Sequence, residues 1–223
     1  FDLDDTLWAF SLNARDTYEE MYWKYGYDRY FDSFEHYYSL YQRRNLDLWA
    51  EYADGKVTKE ELNRQRYLYP LEAVGAGDST LAKAYERDAL TMIPTKSKLM
   101  PHAREVLEYL SGKYNLYILS NGFKELQSHK MRSSGIDEYF KKVVLSDDIG
   151  ILKPWPEIFH FALSTTQSEL NNSLMIGDSW ENDIVGAAGV GMHQVFYNLS
   201  GRTDLPFAPT YQITDLKDLF NFL

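Results

Sequence analysis

The sequence has 223 residues, 44% hydrophobic and 25% charged, with a formal net charge of −10 and no cysteine. That length supports one or two domains with a real core, and the acidic balance excludes the basic surface that a nucleic acid polymer or an anionic membrane requires. The lack of cysteine excludes disulfides and thiolate metal sites and fits a cytoplasmic setting, and no apolar run approaches the roughly 20 residues that span a bilayer.

In chain order, Phe1-Asp2-Leu3 reads as the end of a strand, followed by further aspartates at Asp4 and Asp5. Amphipathic helices are predicted over Asn13–Tyr25 and Phe31–Ala53, the second stopped by Asp54-Gly55. Thr58, with Glu61 three positions on, resembles a capping box and opens a helix through Arg66. Asp78-Ser79 opens another through Leu90. Residues 13–92 are therefore mostly helical. Many of the 18 tyrosines fall here, among them Tyr18, Tyr22, Tyr37, Tyr38 and Tyr41. They read as packing within a helical layer; the sharper alternative is an aromatic surface that stacks on a substrate ring.

After Pro94 the rhythm changes. A helix is predicted from Pro101 to Leu110, with proline at the first position where its missing N–H does no harm. The strand Leu116–Leu119 ends in Ser120-Asn121-Gly122. Then come a helix (Lys124–Ser133), a strand (Lys142–Leu145), a helix (Pro156–Ser164) and the strand Ser173–Ile176, which ends in Gly177-Asp178-Ser179. A helix at Asp183–Ala188 and strands at Gln194–Tyr197 and Tyr211–Ile213 complete the chain. Alternating strands and helices imply right-handed crossovers and a parallel sheet covered on both faces. The expected fold is α/β: a Rossmann-like core of residues 1–11 and 93–223, interrupted by an all-α cap of residues 12–92.

In open α/β sheets, ligands bind beyond the carboxyl ends of the strands. Asp2, Asp4, Ser120 and Asp178 all lie at predicted strand ends, so the topology gathers them at one edge. Asp2, Asp4 and Asp178 together would repel strongly in a low-dielectric cleft. A small hard cation such as Mg²⁺, which takes carboxylate and carbonyl oxygens, removes that repulsion. Lys153 offers positive charge on a loop, Ser120 a hydroxyl, and Asn121 and Gly122 backbone N–H groups suited to an anion. Such a set can perform phosphoryl transfer by positioning and charge neutralisation.

Asp2-Leu3-Asp4-Asp5-Thr6, Ser120 closing an apolar strand, Lys153-Pro154, and Gly177-Asp178-Ser179-Trp180-Glu181-Asn182-Asp183 resemble, in order, the four signatures of the haloacid dehalogenase superfamily. The helical insertion resembles that superfamily's C1-type cap. Ser120-Asn121-Gly122-Phe123 and the cap stretch from Leu48 to Arg66 are most similar to pyrimidine 5′-nucleotidase-like phosphatases. The resemblance implies that Asp2 attacks phosphorus to form an aspartyl-phosphate. Asp4 then serves as acid and base. Asp2, the backbone carbonyl of Asp4 and Asp178 hold Mg²⁺, Ser120 and Lys153 bind phosphoryl oxygens, and Asp183 orients Lys153 or a metal-bound water. Asp5 is the family's variable position, expected toward solvent or as a helix-start charge. Dehalogenases lack a carboxylate at the position of Asp4, so its presence favours phosphate ester hydrolysis. One departure is Trp155, where relatives usually carry Asp; it is expected to alter loop packing rather than catalysis.

Taken singly, Asp178 and Asp183 read as helix caps, Lys153 as a solvated lysine and Ser120 as a turn residue; their joint occurrence at one edge argues otherwise. His36, His102, His129, His160 and His193 show no metal-ligand spacing. Gly186, Gly189 and Gly191 read as close packing rather than a dinucleotide loop. In the cap, Arg43, Arg44, Asn45, Arg64 and Arg66 are candidates for touching substrate, although each alone suits a solvent face; Trp49 and Tyr67 read as core. The expected function is a Mg²⁺-dependent phosphatase, monomeric or weakly dimeric, acting on a small phosphorylated metabolite, with a nucleoside 5′-monophosphate the nearest class. The alternatives are a sugar-phosphate phosphomutase on the same fold and a non-catalytic metabolite-binding protein.

Overall fold

The computed structural model describes residues 1–223 and divides them into two compact units, residues 11–96 and residues 1–10 with 97–223. The first unit is helical: α1 (Phe10–Lys24), α2 (Phe34–Ala53), α3 (Lys59–Ala73) and α4 (Ser79–Met92). Each of the last three has a side-chain cap: Ser33 accepts from the His36 N–H, Thr58 from Glu61, and Asp78 from both Thr80 and Leu81. The Glu61 carboxylate does not complete the expected box; it pairs with Arg64 and Gln65 instead. We expect Asp78→Ala to lower stability by about 1 kcal/mol, read as a drop in the urea midpoint, because it removes the acceptor for two otherwise unpaired helix N–H groups.

One difference from the expected helices has a packing cause. α3 continues past Arg66, through Pro70, to Ala73. Proline in a helix removes a hydrogen bond, but Leu68, Pro70 and Leu71 are all buried here, and apolar burial rather than propensity carries helices in proteins. The tyrosines are core: Tyr18, Tyr27, Tyr37, Tyr67 and Tyr85 are nearly inaccessible. The Tyr18 and Tyr41 rings lie 4.5 Å apart with their hydroxyls hydrogen-bonded at 2.6 Å. Burial, with the neighbouring phenols Tyr41 and Tyr67, pushes the Tyr18 hydroxyl well above its ordinary pKa.

The second unit is the α/β layer. It comprises α5 (Ala103–Ser111), β1 (Leu116–Ser120), α6 (Lys124–Ser134), β2 (Phe140–Leu145), α7 (Pro156–Thr166), β3 (Leu174–Gly177), α8 (Val185–Gly189), β4 (His193–Tyr197) and β5 (Tyr211–Ile213). Pro101 does not open α5: it lies in a turn, and His102 at φ 63° separates it from the helix. β1 pairs in parallel with β2, and β3, β4 and β5 pair in parallel with one another. Residues 1–3 lie between the two sets. The Phe1 amino group donates to the Tyr117 carbonyl at 2.8 Å, Leu119 N–H to Phe1 at 2.8 Å, and Asp2 N–H to Ile176 at 2.9 Å. The order across the layer is thus β2, β1, residues 1–3, β3, β4, β5. Apolar residues of β1, β2 and β3 pack against α7 and α8 through Leu119, Val144, Met175, Ile158, Phe159 and Ala187. A side chain at Gly186 would bring its Cβ within 2.5 Å of Phe159 and 3.0 Å of Pro154 Cα, so glycine is what lets α8 approach the Lys153 loop.

Candidate active site

Three parallel segments end at the same edge, and each delivers a polar side chain there. Ser120 is the last residue of β1, Asp178 directly follows β3, and Asp2 lies between them, with its N–H bonded to Ile176 of β3. Beyond Leu3 the chain turns sharply: the N–H groups of Leu7 and Trp8 both donate to the Leu3 carbonyl, at 3.0 and 2.8 Å. Asp5 takes the left-handed conformation in this turn, at φ 59°, which short polar side chains tolerate best after glycine. It is half-buried and well ahead of α1, so the solvent or helix-start position expected for it is not what the fold uses. The turn brings Thr6 back onto the end of β3. Its hydroxyl donates to Asp178 Oδ1 at 2.7 Å and accepts from the Asp178 N–H at 3.1 Å. Thr6 is fully buried; the sequence showed it only as the end of a motif.

Lys153 is the hub of the site's charges. Only 2% exposed, it donates to Asp2 Oδ1, Asp183 Oδ1 and the Leu119 carbonyl, each at 2.7 Å. Burial opposes its charge, but Asp183 and Asp2 outweigh burial and hold the ammonium above its ordinary pKa. All three of its N–H groups are engaged, so a phosphoryl oxygen would have to displace one of these partners. Asp183 is completely buried on a single π turn, Trp180–Ile184, and its other oxygen accepts from the Ser179 N–H at 3.1 Å. Gly177 makes room for it: a Cβ there would lie 2.2 Å from Asp183 Oδ2.

The loop that carries Lys153 is held by Asn121. Its Nδ2 donates to the Lys153 carbonyl at 3.0 Å, and its Oδ1 accepts from the Lys153 N–H at 2.8 Å. The Asn121 carboxamide is thus a brace for the loop. The Gly122 N–H, expected to face an anion, donates instead to Ser120 Oγ at 3.0 Å. Gln127 Nε2 donates to the same oxygen at 2.7 Å. A serine hydroxyl has two acceptor sites and one proton; with both sites filled, Ser120 keeps its proton to donate. Asp4 stands apart from Lys153. Its carboxylate accepts from Lys130 Nζ at 2.7 and 3.0 Å and from Gln127 Nε2 at 2.9 Å. Neither α6 residue was singled out in the sequence, where nothing marks which face of α6 is buried. The turn glycine at Gly122 is the one available hint, since a Cβ there would lie 1.9 Å from Gln127 Nε2.

Asp2, Asp178 and Asp183 bring carboxylate oxygens within 4.8 Å of one another, against one lysine. Burial, partly opposed by Lys153, raises the Asp2 carboxyl to about 6. Burial and then the Asp2 and Asp183 charges raise Asp178 to about 8, with the Thr6 hydrogen bond opposing. The oxygens not engaged by protein donors are Oδ2 of Asp2 and Oδ2 of Asp178, and no backbone N–H donates to the Asp4 carbonyl. An all-oxygen, negatively charged set of this kind fits a small hard divalent cation such as Mg²⁺. Asp183, with both oxygens engaged, does not belong among the free donors. A cavity of about 860 Å³ opens around Leu116, Leu174, His193 and Tyr211 but is lined by none of these polar residues.

Trp155 is 58% exposed and makes no capping bond at the start of α7. In the helical unit, Arg44 pairs with Glu51, Arg64 with Glu61, and buried Arg66 donates to Asn63. Trp49, expected in the core, is half-exposed against Tyr52.

The sequence model of haloacid dehalogenase-like hydrolases matches residues 1–191. Over its full length the chain is 28% identical to the pyrimidine 5′-nucleotidase YjjG of Escherichia coli K12, spanning 96% of that protein. It is 26% identical, again over its full length, to the pyrimidine 5′-nucleotidase PynA of Streptococcus pneumoniae, spanning 93% of it. The magnesium-bound crystal structure of YfnB from Bacillus subtilis superposes with a TM-score of 0.89 at 26% identity, covering 100% of this chain and 96% of that one. A family match that runs from Phe1 through every stretch forming this site leads to one conclusion: the chain belongs to the haloacid dehalogenase-like hydrolases.

Proposed function

We propose that the protein is a Mg²⁺-dependent phosphatase of small phosphomonoesters, with nucleoside 5′-monophosphates the leading class, working through an aspartyl-phosphate on Asp2. The observation that carries this reading is the division of labour between two neighbouring carboxylates. Asp2 is anchored by one oxygen to Lys153, which leaves its other oxygen to attack, whereas Asp4 is held separately beside Ser120. In the first step Asp2 Oδ2 forms a bond to phosphorus while the ester P–O bond breaks with its electron pair going to the leaving oxygen. Asp4 gives that oxygen a proton. In the second step water attacks phosphorus, Asp4 takes the water's proton, and the acyl P–O pair returns to Asp2. Ser120 donates to a phosphoryl oxygen throughout. With Oδ2 attacking, Asp2 would hold Mg²⁺ through the second lone pair of Oδ1, together with Asp178 and the Asp4 carbonyl, and the ion would offset the dianionic charge of the phosphate. In this reading the helical unit is the cap that selects the substrate.

The two nucleotidases among the relatives support the substrate class. A relative in Thermus thermophilus, 28% identical over 98% of this chain, is a phosphoserine phosphatase, so the test must be broad. We expect purified protein to release inorganic phosphate from nucleoside monophosphates in preference to sugar phosphates, phosphoserine and phosphoglycolate. Release should stop with a chelator and resume with Mg²⁺, and acid quenching should trap phosphate on Asp2. Isomerised sugar phosphate in place of free phosphate would replace this reading with a phosphomutase, and no turnover across the panel would remove it.

A further inference from the structure

Asp4 is held by two residues of α6 that no step above uses. Lys130 is 3% exposed, and its ammonium reaches both Asp4 oxygens. It lies 4.8 Å from the Trp8 ring centre and 5.2 Å from that of Phe10, so two aromatic rings also face the ammonium. Gln127 is fully buried; one Nε2 donates both to Asp4 Oδ2 at 2.9 Å and to Ser120 Oγ at 2.7 Å, while its Oε1 has no partner. Neither feature is what fold stability selects. A buried ion pair is commonly no better than a packed apolar side chain of the same size, and an orphaned buried carbonyl is unfavourable outright. Buried groups left in that condition call for a functional account. The i,i+3 spacing puts both side chains on one face of α6, and the lack of a side chain at Gly122 admits the Gln127 carboxamide.

We infer that Lys130 and Gln127 are positioning residues that register the Asp4 carboxyl against the Ser120 phosphate contact. The inference rests on the acid and base role of Asp4 proposed above. A carboxylate offers about four lone-pair sites. Lys130 takes one on each oxygen and Gln127 a second on Oδ2, so one site is left, on Oδ1. That leaves the proton a single place to ride, at a fixed distance from the hydroxyl that holds the phosphate. Gln127 supplies the link, because one amide nitrogen touches both groups.

The experiment compares two esters. Expulsion of p-nitrophenolate needs no proton, whereas expulsion of an alkoxide, as from glycerol phosphate, does. We expect Lys130→Met and Gln127→Met each to lower kcat/KM for the alkyl ester at least about tenfold more than for p-nitrophenyl phosphate, as loss of placed general acid catalysis does. With p-nitrophenyl phosphate the second step still needs the base, so kcat and KM should fall together and acid-trapped phosphoenzyme should accumulate. Lys130→Arg, which keeps a cation over Trp8, should recover most of the wild-type ratio. Gln127→Met removes an unpartnered carbonyl and should fold, so it decides alone if Lys130→Met does not. A wild-type ester ratio and no phosphoenzyme build-up in the folded variants would overturn the inference. Asp4→Asn separates the two failures. If it splits the esters and the α6 variants do not, only the positioning role fails; if it leaves the ratio unchanged, the assignment of Asp4 fails and takes this inference with it.

Discussion

Lys153→Met is expected to abolish measurable phosphate release and to lower folding stability by about 3–5 kcal/mol, the usual consequence of removing one partner from a buried ion cluster. Both effects come from the same three bonds. Lys153 is the one cation in contact with Asp2 and Asp183, and solvent does not reach it to screen what remains. Without it, Asp183, already completely buried, keeps only the Ser179 N–H as a partner, and Asp2 loses the anchor that fixes its attacking geometry. Lys153→Arg should not rescue, because a planar guanidinium fork cannot point three donors at acceptors that converge on one nitrogen. The double variant Lys153→Met with Asp183→Asn separates the effects. It should regain much of the lost stability, since the isolated charge is gone, and none of the turnover. Urea unfolding and phosphate release measure the two outcomes. A Lys153→Met protein that unfolds at the wild-type urea midpoint would show that the cluster carries no stability.

The Lys153 cluster also shows how far a sequence can be read. The alternation of strands and helices placed Asp2, Ser120 and Asp178 at one edge, because ligand positions in parallel sheets follow from topology alone. Lys153 is legible as a loop cation and Asp183 from the family resemblance, and the structure puts their side chains 2.7 Å apart. Sequence reasoning fell short where partner choice depended on packing. Asn121 is expected to offer its backbone N–H to the phosphate; that its carboxamide matches the backbone of the Lys153 loop on both sides is not legible in the sequence. Its partner lies 32 residues further along the chain, and no local pattern announces a contact of that kind. Thr6 was visible only as the tail of a motif, although it ties that motif to Asp178 across 172 residues.

Gln127 and Lys130 were missed for a different reason. Polar residues on a helix are normally its solvent face, and α6 carries four residues on its buried side, of which Met131 alone is apolar. An inward-facing polar stripe defeats the amphipathic pattern on which such reading depends. α3 departs in the opposite direction: the helix expected through Arg66 runs on to Ala73, and tertiary burial carries it through Pro70. Local propensity thus mispredicted α3, where packing took over, and the solvent-face rule hid the functional face of α6.

Asp178→Asn is expected to make the protein more stable without metal and far less active with it. In the folded chain the Asp178 carboxyl is raised to about 8 and the Asp2 carboxyl to about 6, both by burial first, from an ordinary value of 3.8. The folded protein therefore binds more protons than the unfolded chain between about pH 4 and pH 8, and stability must fall as pH rises through that window. The contribution is complete below about pH 4 and is lost as pH passes 6 and then 8. Metal-free wild type should show this decline as a urea midpoint that drops from about pH 5 to about pH 8. Asparagine cannot ionise, and its carbonyl can still accept the Thr6 hydroxyl. The variant should lose the larger part of the slope and exceed metal-free wild type at pH 8 by on the order of 2 kcal/mol, a figure reduced because Asp178 is only half-buried. Mg²⁺ reverses the order. At about 100 times its Kd it should stabilise wild type by ~2.7 kcal/mol and the variant by much less. Turnover in the variant should fall about 10³-fold or more, since a metal that neutralises transition-state charge supplies several kcal/mol. A flat pH profile for metal-free wild type, or equal Mg²⁺ stabilisation of both proteins, would mean that Asp178 is not where the excess charge of this site resides.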